Sequence, residues 1–162
     1  MKKDITSTEY WKWRLEQATM EGHLQWSVYL TNDISWGQIE KIHLGIIKHL
    51  IVDDDYVLDA GCGYGRMASA FDSEKYVGVD FSEAFIKKAR ESHPHYSFII
   101  ANLKELPFKD KVFDWSFCIS IKGMIRANSG ETEWQKMLNE LKRVSKRVLI
   151  LEYTNPEDYK IL

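Results

Sequence analysis

The feature that most constrains this chain is a glycine-rich loop that follows a short apolar segment. Residues 57–60 predict a buried strand, and Gly61, Gly63 and Gly65 come directly after it. Glycine has no Cβ, so the backbone can turn sharply there and a ligand can approach the main chain closely. A strand that runs into such a loop and then into a helix is typical of doubly wound α/β folds, which bind nucleotide-like ligands at this point.

Strand and helix patterns alternate along the rest of the chain. Strands are predicted at 56–60, 75–79, 96–100, 112–119 and 147–151, and helices at 64–71, after Ser82 and at 131–144. A helix over about 36–50 is indicated by a stripe of Ile39, Ile42, Ile46 and Leu50. This alternation predicts an α/β fold, a doubly wound, Rossmann-like parallel sheet with helices on both faces.

Composition fits a single domain over residues 1–162, since 44% of the residues are hydrophobic and 28% are charged. No apolar run approaches the ~20 residues of a membrane span, and no apolar stretch follows the first lysines, so we expect a cytoplasmic protein. Cys62 and Cys118 lack metal-ligand spacing and are expected as reduced thiols, with no metal site. The net charge of −2 disfavours a nucleic-acid partner held by bulk charge.

The spacing of the glycines narrows the choice of ligand. A dinucleotide loop has the pattern G-x-G-x-x-G and a phosphate loop ends in G-K-[ST], but position 66 here is Arg66 and neither pattern is present. Asp59, two residues before the first glycine, would repel a pyrophosphate and would suit a ligand with a cationic end. S-adenosylmethionine carries an ammonium and a sulfonium group and no phosphate, so the loop favours it.

Two further strand ends carry polar side chains. The second predicted strand ends in Asp80, whose carboxylate can accept both hydroxyl groups of a ribose. NAD-binding proteins share this feature, so Asp80 alone does not separate the two cofactors. The third strand runs into Asn102, which either hydrogen-bonds the edge of an adenine or simply ends the strand in a turn.

Three motifs in this order resemble those of the class I S-adenosylmethionine-dependent methyltransferases. They are Asp59-Ala-Gly-Cys-Gly-Tyr-Gly-Arg66, Val77-Gly-Val-Asp-Phe-Ser82 and the stretch from Asn102 to Asp114, and the resemblance runs from about Ile39 to Leu151. It implies S-adenosylmethionine as the cofactor and transfer of a methyl group by direct displacement. The cofactor-binding residues that it implies are Asp59, Gly61, Cys62, Gly63, Gly65, Asp80, Phe81, Asn102, Leu103 and Ile119.

The resemblance also implies how the cofactor would lie. The glycine loop is expected near the methionine end, Asp80 on the ribose and Phe81 against the adenine. Asn102 stands where relatives often have Asp at the adenine amino group, and Leu103 supplies a backbone contact. Ile119 follows the fourth strand near the methionine amino group.

The chain departs from the family pattern after the fourth and fifth strands. Relatives usually have seven strands, and residues 152–162 are too few for the last two, so the expected order is 3-2-1-4-5. The fifth strand is then an edge that the C-terminal tail, the N-terminal segment or the second subunit of a homodimer would cover. No general base is apparent in residues 120–125, so no catalytic residue is assigned. His43 and His49 are expected at the surface or an edge.

Residues 1–34 are expected to form a helical lid over a cofactor-binding core at 35–162. Four tryptophans lie in this region or just after it, at Trp11, Trp13, Trp26 and Trp36, and Thr8 is suited to cap a helix. The start of the helix, from Tyr10 to Arg14, resembles that of small methyltransferases whose N-terminal helices close over the cofactor. Arg14 would then pair with the methionine carboxylate. Alternatively, these tryptophans are ordinary core residues and Arg14 is solvated.

Two functions remain open from the sequence. The favoured one is a methyltransferase that acts on an unidentified acceptor, with a small molecule preferred and no membrane partner. The alternative is a protein that binds S-adenosylmethionine without transferring a methyl group, either a sensor or the partner subunit of an active methyltransferase. The short C-terminus and the missing base motivate this alternative. The glycine spacing disfavours a dinucleotide-dependent oxidoreductase.

Overall fold

A computed structural model of the chain describes residue 4 and residues 6–22, 36–152 and 159–162. These residues form five α-helices and six strands. The helices are α1 (Thr8–Met20), α2 (Trp36–Leu50), α3 (Glu83–Ser92), α4 (Ile121–Ser129) and α5 (Glu131–Val144). The strands are β1 (Val57–Ala60), β2 (Tyr76–Asp80), β3 (Ser97–Ile100), β4 (Phe113–Ile119), β5 (Ser145–Leu151) and β6 (Lys160–Ile161).

The six strands form one sheet in the order β3-β2-β1-β4-β5-β6. The first five strands are parallel and β6 runs antiparallel to β5. The predicted doubly wound sheet and its order 3-2-1-4-5 are confirmed. The strand order reverses between β1 and β4, and in such sheets this reversal leaves a crevice at the carboxyl ends of the strands.

Helices cover both faces of the sheet, which explains why its central strands are apolar along both sides. On one face, residues of α5 form a buried cluster with alternate residues of the strands, among them Trp134, Leu138, Leu141, Leu58 and Val148. On the other face, α2 contributes to a second cluster that includes Ile47, Ile51, Val57, Phe117 and Leu149. Cys62 and Cys118 are both buried and are not joined by a disulfide bond.

Two helical predictions differ from the structure, and one helix was not predicted. Ser7 rather than Thr8 caps α1, because its Oγ accepts a hydrogen bond from Tyr10 N at 3.1 Å. The helix predicted over 64–71 is reduced to a short 3₁₀ turn at Ala68–Ala70, since the left-handed glycines before it interrupt the helical path. Helix α4 was not predicted, and none of its residues is fully buried.

His43 was predicted at the surface or an edge, and that prediction is wrong. Its side chain is fully buried on α2, and its Nε2 lies 3.4 Å from the carbonyl oxygen of Glu152. Burial, followed by the positive charge of Arg66, lowers the pKa of His43 to about 4. His49, on the same helix, is exposed as expected.

The C-terminal residues cover part of the sheet edge at β5. Ile161 pairs with Leu149, and the backbones of Leu162 and Val148 exchange two hydrogen bonds of 2.9 Å. Of the three covers expected for the fifth strand, the structure shows the C-terminal tail, and its strand β6 extends the predicted order of five strands by one. At this edge the short strand β6 is now the one that a second subunit would cover. The homodimer therefore stays a prediction.

Two glycines outside the loop test how the packing constrains the fold. A Cβ at Gly45, in the middle of α2, would meet nothing within 4 Å, so Gly45→Ala should raise the free energy of unfolding by about 0.5–1 kcal/mol. A Cβ at Gly78, in β2, would lie 2.7 Å from Phe98 and 2.9 Å from Cys62. Gly78→Ala should therefore lower the free energy of unfolding by about 1–3 kcal/mol. Urea unfolding of both variants measures the difference, and equal effects would contradict the packing described here.

Candidate functional site

A cavity of about 480 Å³ lies where the parallel strands end. Residues at or just after the ends of β1 to β5 all line it, namely Gly61, Asp80, Asn102, Ser120 and Glu152. Side chains of α1, α3, α4 and α5 complete the wall. The cavity therefore occupies the position at which doubly wound sheets bind their ligands.

The glycine loop is anchored to the end of β2. Gly61 N and Cys62 N both donate hydrogen bonds to the carbonyl oxygen of Val79, at 2.8 and 3.0 Å. Gly63 N donates to Oδ2 of Asp80 at 3.0 Å. Gly61 and Gly63 have φ of 79° and 55°, in the left-handed region that glycine adopts without steric cost. All three of these loop residues, including the buried Cys62, line the cavity.

Three of the predicted site residues are not among the described residues that line the cavity, namely Arg14, treated below, and Gly65 and Asp59. A Cβ at Gly65 would lie 2.7 Å from Phe98, so this glycine serves the packing behind the loop. Asp59 is 4% exposed, and Oδ2 of its carboxylate accepts a hydrogen bond of 2.7 Å from the hydroxyl of Tyr76. Both residues therefore support the loop from behind.

Asp80 places a buried carboxylate in the cavity wall. It is 7% exposed, and its Oδ2 and Oδ1 accept hydrogen bonds from Gly63 N and Ser82 N at 3.0 and 2.9 Å. Burial raises the pKa of Asp80 to about 6, although these backbone donors act in the opposite direction. Each carboxylate oxygen can accept a further hydrogen bond, which suits a ligand with two neighbouring hydroxyl groups.

The other residues predicted for the cofactor also line the cavity. They are Phe81, which is 37% exposed, Asn102, Leu103 and Ile119. Oδ1 of Asn102 accepts a hydrogen bond of 3.0 Å from the backbone N–H of Lys104, which fixes the orientation of the amide group. The structure thus brings together eight of the predicted residues around one space, three of them from the glycine loop.

Helix α1 lies beside this cavity. Trp11 is 5% exposed and lines the cavity, and its ring lies 5.9 Å from that of Phe85 on α3. Trp13, on the same helix, is 41% exposed. The predicted lid is described only in part, because residues 23–35, with Trp26, and the side chain of Trp36 lie outside the described residues.

Of the two arginines near the motifs, the structure brings Arg66 to the cavity. Arg14, which was predicted to bind the methionine carboxylate, is not among the described residues that line it. Arg66 Nη1 lies 3.3 Å from Oε2 of Glu40 on α2. Its position directly after the glycine loop is the sequence signal for a place at the cavity, in addition to excluding a dinucleotide pattern.

Glu152 also lines the cavity and was missed. It follows β5 directly, and its Oε1 accepts a hydrogen bond of 3.1 Å from Gly123 N on α4. Burial raises the pKa of Glu152, while the Gly123 N–H and the charges of Lys122 and Arg126 act in the opposite direction. The missed signal was an acidic residue at the end of a predicted strand, which is the same signal that identified Asp80.

The lining fits S-adenosylmethionine. Asp80 offers acceptors for ribose hydroxyl groups, and Gly61 and Gly63 present backbone without side chains to a ligand. The carboxylate of Asp80 on the wall suits a cofactor without a phosphate group. Within the described ranges, no three His, Cys, Asp or Glu side chains group as metal ligands, and no helix is long and apolar enough to cross a membrane.

The protonation of Asp59 gives a test of this electrostatic environment. Burial raises the pKa of Asp59 to about 7, so the folded state binds its proton more tightly than the unfolded state does. The ionised form therefore destabilises the fold as the pH rises from 5 to 8. Asp59→Asn should gain stability relative to the wild type by about 2 kcal/mol over this range. Thermal melts of both proteins at pH 5 and pH 8 measure this gain, and a difference independent of pH would contradict it.

Comparisons with known proteins agree with this site. The methyltransferase domain family matches residues 57–147, which contain the glycine loop and Asp80 at the end of β2. Demethylmenaquinone methyltransferase of Streptomyces griseus is 34% identical over 148 residues, which are 87% of this chain and 62% of that protein. An uncharacterised protein of Methanocaldococcus jannaschii is 31% identical over 66% of this chain and 43% of its own length.

Solved structures show the same fold. A protein of Pyrococcus horikoshii is 27% identical, with a TM-score of 0.60 over 75% of this chain and 59% of its own. Phosphoethanolamine N-methyltransferase 1 of Haemonchus contortus, solved with phosphoethanolamine and S-adenosylhomocysteine, has a TM-score of 0.67 at 20% identity. It matches 90% of this chain and 32% of that one.

The chain spans less than half of some of its relatives. It matches 43% of the length of the M. jannaschii protein described above and 43% of a second uncharacterised protein from the same organism. The family match nevertheless covers more than half of this chain, at residues 57–147. The cofactor of this family is S-adenosylmethionine, in agreement with the lining of the cavity. The chain belongs to the methyltransferase domain family and is a class I S-adenosylmethionine-dependent methyltransferase domain.

Proposed function

We propose that this chain binds S-adenosylmethionine in the cavity and transfers its methyl group directly to a small, largely apolar acceptor. The main support for this proposal is that one cavity is lined both by glycine backbone, which has no side chain, and by a buried carboxylate. Gly61 and Gly63 provide the first, and Asp80 provides the second. Bound there, S-adenosylmethionine supplies an electrophilic methyl group on a sulfonium.

Residues at the ends of four strands, β1 to β4, would each contact a different part of the cofactor. Asp80 accepts hydrogen bonds from the ribose hydroxyl groups, and its own bonds to Gly63 N and Ser82 N hold the carboxylate in place. Phe81, Asn102 and Leu103 form the adenine side. The backbone of the glycine loop and of Ile119 lies at the methionine end. Asp59 and Gly65 act on the cofactor only through the loop, and we propose Arg66 in place of Arg14 as the cation near the methionine carboxylate.

The acceptor side of the cavity is mainly apolar. Ile121, Met124 and Ile125 of α4 line it together with Met137 of α5. A wall of this kind excludes water from the sulfonium and holds an apolar acceptor in line with it, and alignment alone is worth up to ~7–11 kcal/mol of a barrier. The name of the S. griseus relative, which refers to demethylmenaquinone, supports an apolar small molecule.

Two features of the sequence suggested the alternative, a binding protein without transfer activity. One was the missing base, and Glu152 now places a carboxylate in the cavity beyond the cofactor residues. The other was the short C-terminus, and residues 159–162 complete part of the sheet edge. Both findings favour an active enzyme.

Transfer itself is tested with methyl-labelled S-adenosylmethionine and the low-molecular-weight fraction of a cell extract. Label should appear in a product of small mass with the wild type and should disappear with Asp80→Ala. Binding of the cofactor without labelling of any fraction would favour the binding protein.

Asp80→Ala should weaken the binding of S-adenosylhomocysteine by about ten- to a hundredfold, because hydrogen bonds to a charged acceptor are lost. Asp80→Asn, which keeps one acceptor oxygen, should lose less. Asp54→Ala, at an exposed position outside the cavity, is the matched control. Calorimetric titration with S-adenosylhomocysteine and with NAD measures these affinities, and a folded Asp80→Ala protein of unchanged affinity would refute the ribose assignment.

If α1 helps to cover the cofactor, substitutions of its two tryptophans should change the cofactor affinity to different extents. Trp11→Ala removes a buried ring from the cavity wall and should weaken S-adenosylhomocysteine binding roughly two- to tenfold. Trp13→Ala removes a ring that is 41% exposed and should leave the affinity unchanged. The same titration compares them, and equal affinities would show that α1 does not help to hold the cofactor.

A further inference from the structure

Glu152 lies away from the part of the cavity assigned to the cofactor. Most of the cofactor residues lie at the ends of β1, β2 and β3, and Ile119 ends β4, whereas Glu152 follows β5, which carries none of them. Neighbouring strands are about 4.8 Å apart, so the end of β5 is roughly 10 Å from the end of β1. A carboxylate at this distance faces the acceptor half of the cavity.

The carboxylate is held in one orientation. Its Oε1 accepts a hydrogen bond of 3.1 Å from Gly123 N. A Cβ at residue 123 would lie 3.1 Å from Oε2, so the glycine leaves the space in which the carboxylate sits. Oε2 can therefore accept a hydrogen bond from a molecule in the cavity.

The surroundings distinguish Glu152 from the other acidic residue on the acceptor side. Glu133 also lines the cavity, but its carboxylate is paired with Lys104 and Lys136 at 2.7 and 2.6 Å. The walls next to Glu152 include the apolar side chains of Ile119 and Ile121. Oε1 of Glu152 already accepts from Gly123 N, and the charges of Lys122 and Arg126 also favour the carboxylate, so a ligand that brings a donor gains a further hydrogen bond at Oε2.

We propose that Glu152 binds the methyl acceptor by accepting a hydrogen bond from its O–H or N–H group. The acceptor class is then an apolar molecule with one such donor, an inference that rests on the proposed methyl transfer. As the acceptor oxygen or nitrogen bonds to the methyl carbon, the carbon–sulfur bond breaks and its electron pair stays on sulfur. The proton of the acceptor moves to the Glu152 carboxylate and from there to water.

Matched probes test this class in the protein loaded with S-adenosylhomocysteine. Beta-naphthol and its methyl ether differ by one O–H donor, and indole and N-methylindole differ by one N–H donor. Ligand-detected NMR titrations give the four affinities. We expect the donor-bearing member of at least one pair to bind about tenfold more tightly than its methylated partner, and the pair that does so identifies the donor atom.

Two variants test whether the Glu152 carboxylate causes this preference for donor-bearing probes. In Glu152→Gln the side-chain oxygen must still face Gly123 N, so the NH₂ group turns toward the cavity and the preference should vanish or reverse. Gly123→Ala places a methyl group against Oε2 and should reduce the preference without removing the charge. Glu91→Gln, at an exposed position on α3, should retain it.

The possible results test the role of Glu152 separately from the proposed function. A preference that persists in Glu152→Gln, or the absence of binding by all four probes to the loaded wild type, would overturn the inference while S-adenosylhomocysteine binding upholds the cofactor site. Loss of S-adenosylhomocysteine binding in Glu152→Gln would place this residue at the cofactor and would also overturn it. Failure of the wild type to bind S-adenosylhomocysteine would refute the proposed function itself.

Discussion

The hydrogen bond from Gly63 N to the carboxylate of Asp80 is the interaction on which the site depends. It joins the loop after β1 to the end of β2 and fixes the backbone that a cofactor would approach. Without Asp80 the N–H of Gly63 would be a buried donor with no partner, at a cost of about 1–3 kcal/mol. One carboxylate thus shapes the loop and also presents acceptors to the cavity.

The loop in turn sets the position of α4. The space that a Cβ at Gly61 would need is occupied by the side chain of Ile121, whose Cδ1 would lie 2.5 Å from it. The glycine therefore serves close packing between the loop and the next helix as well as a left-handed turn. Asp59 shows a related compromise, because Tyr76 satisfies its buried carboxylate while burial raises its pKa to about 7.

The fold was largely predictable because each strand is short, apolar and followed by a signal of its end. Asp80 and Asn102 were recognised for the same reason, since polar residues at parallel strand ends meet at one edge. Arg66 and Glu152 carry comparable local signals, next to the glycine loop and at the end of the fifth strand, but the contacts with α2 and α4 that hold their side chains in the cavity wall are not encoded locally. Helix α4 was missed because it has only nine residues and contains Gly123, which lowers the helix propensity of the segment.

Helix α4 follows Ser120, whose φ is 59°, and buries none of its residues completely. Ile121 and Ile125 lie against the core cluster on one side and line the cavity on the other. A bound ligand would supply the packing that the polypeptide leaves incomplete there. Local opening of this helix and ligand dissociation are then linked equilibria, so occupancy of the cavity stabilises α4 as a cooperative unit more than it stabilises the sheet beneath it.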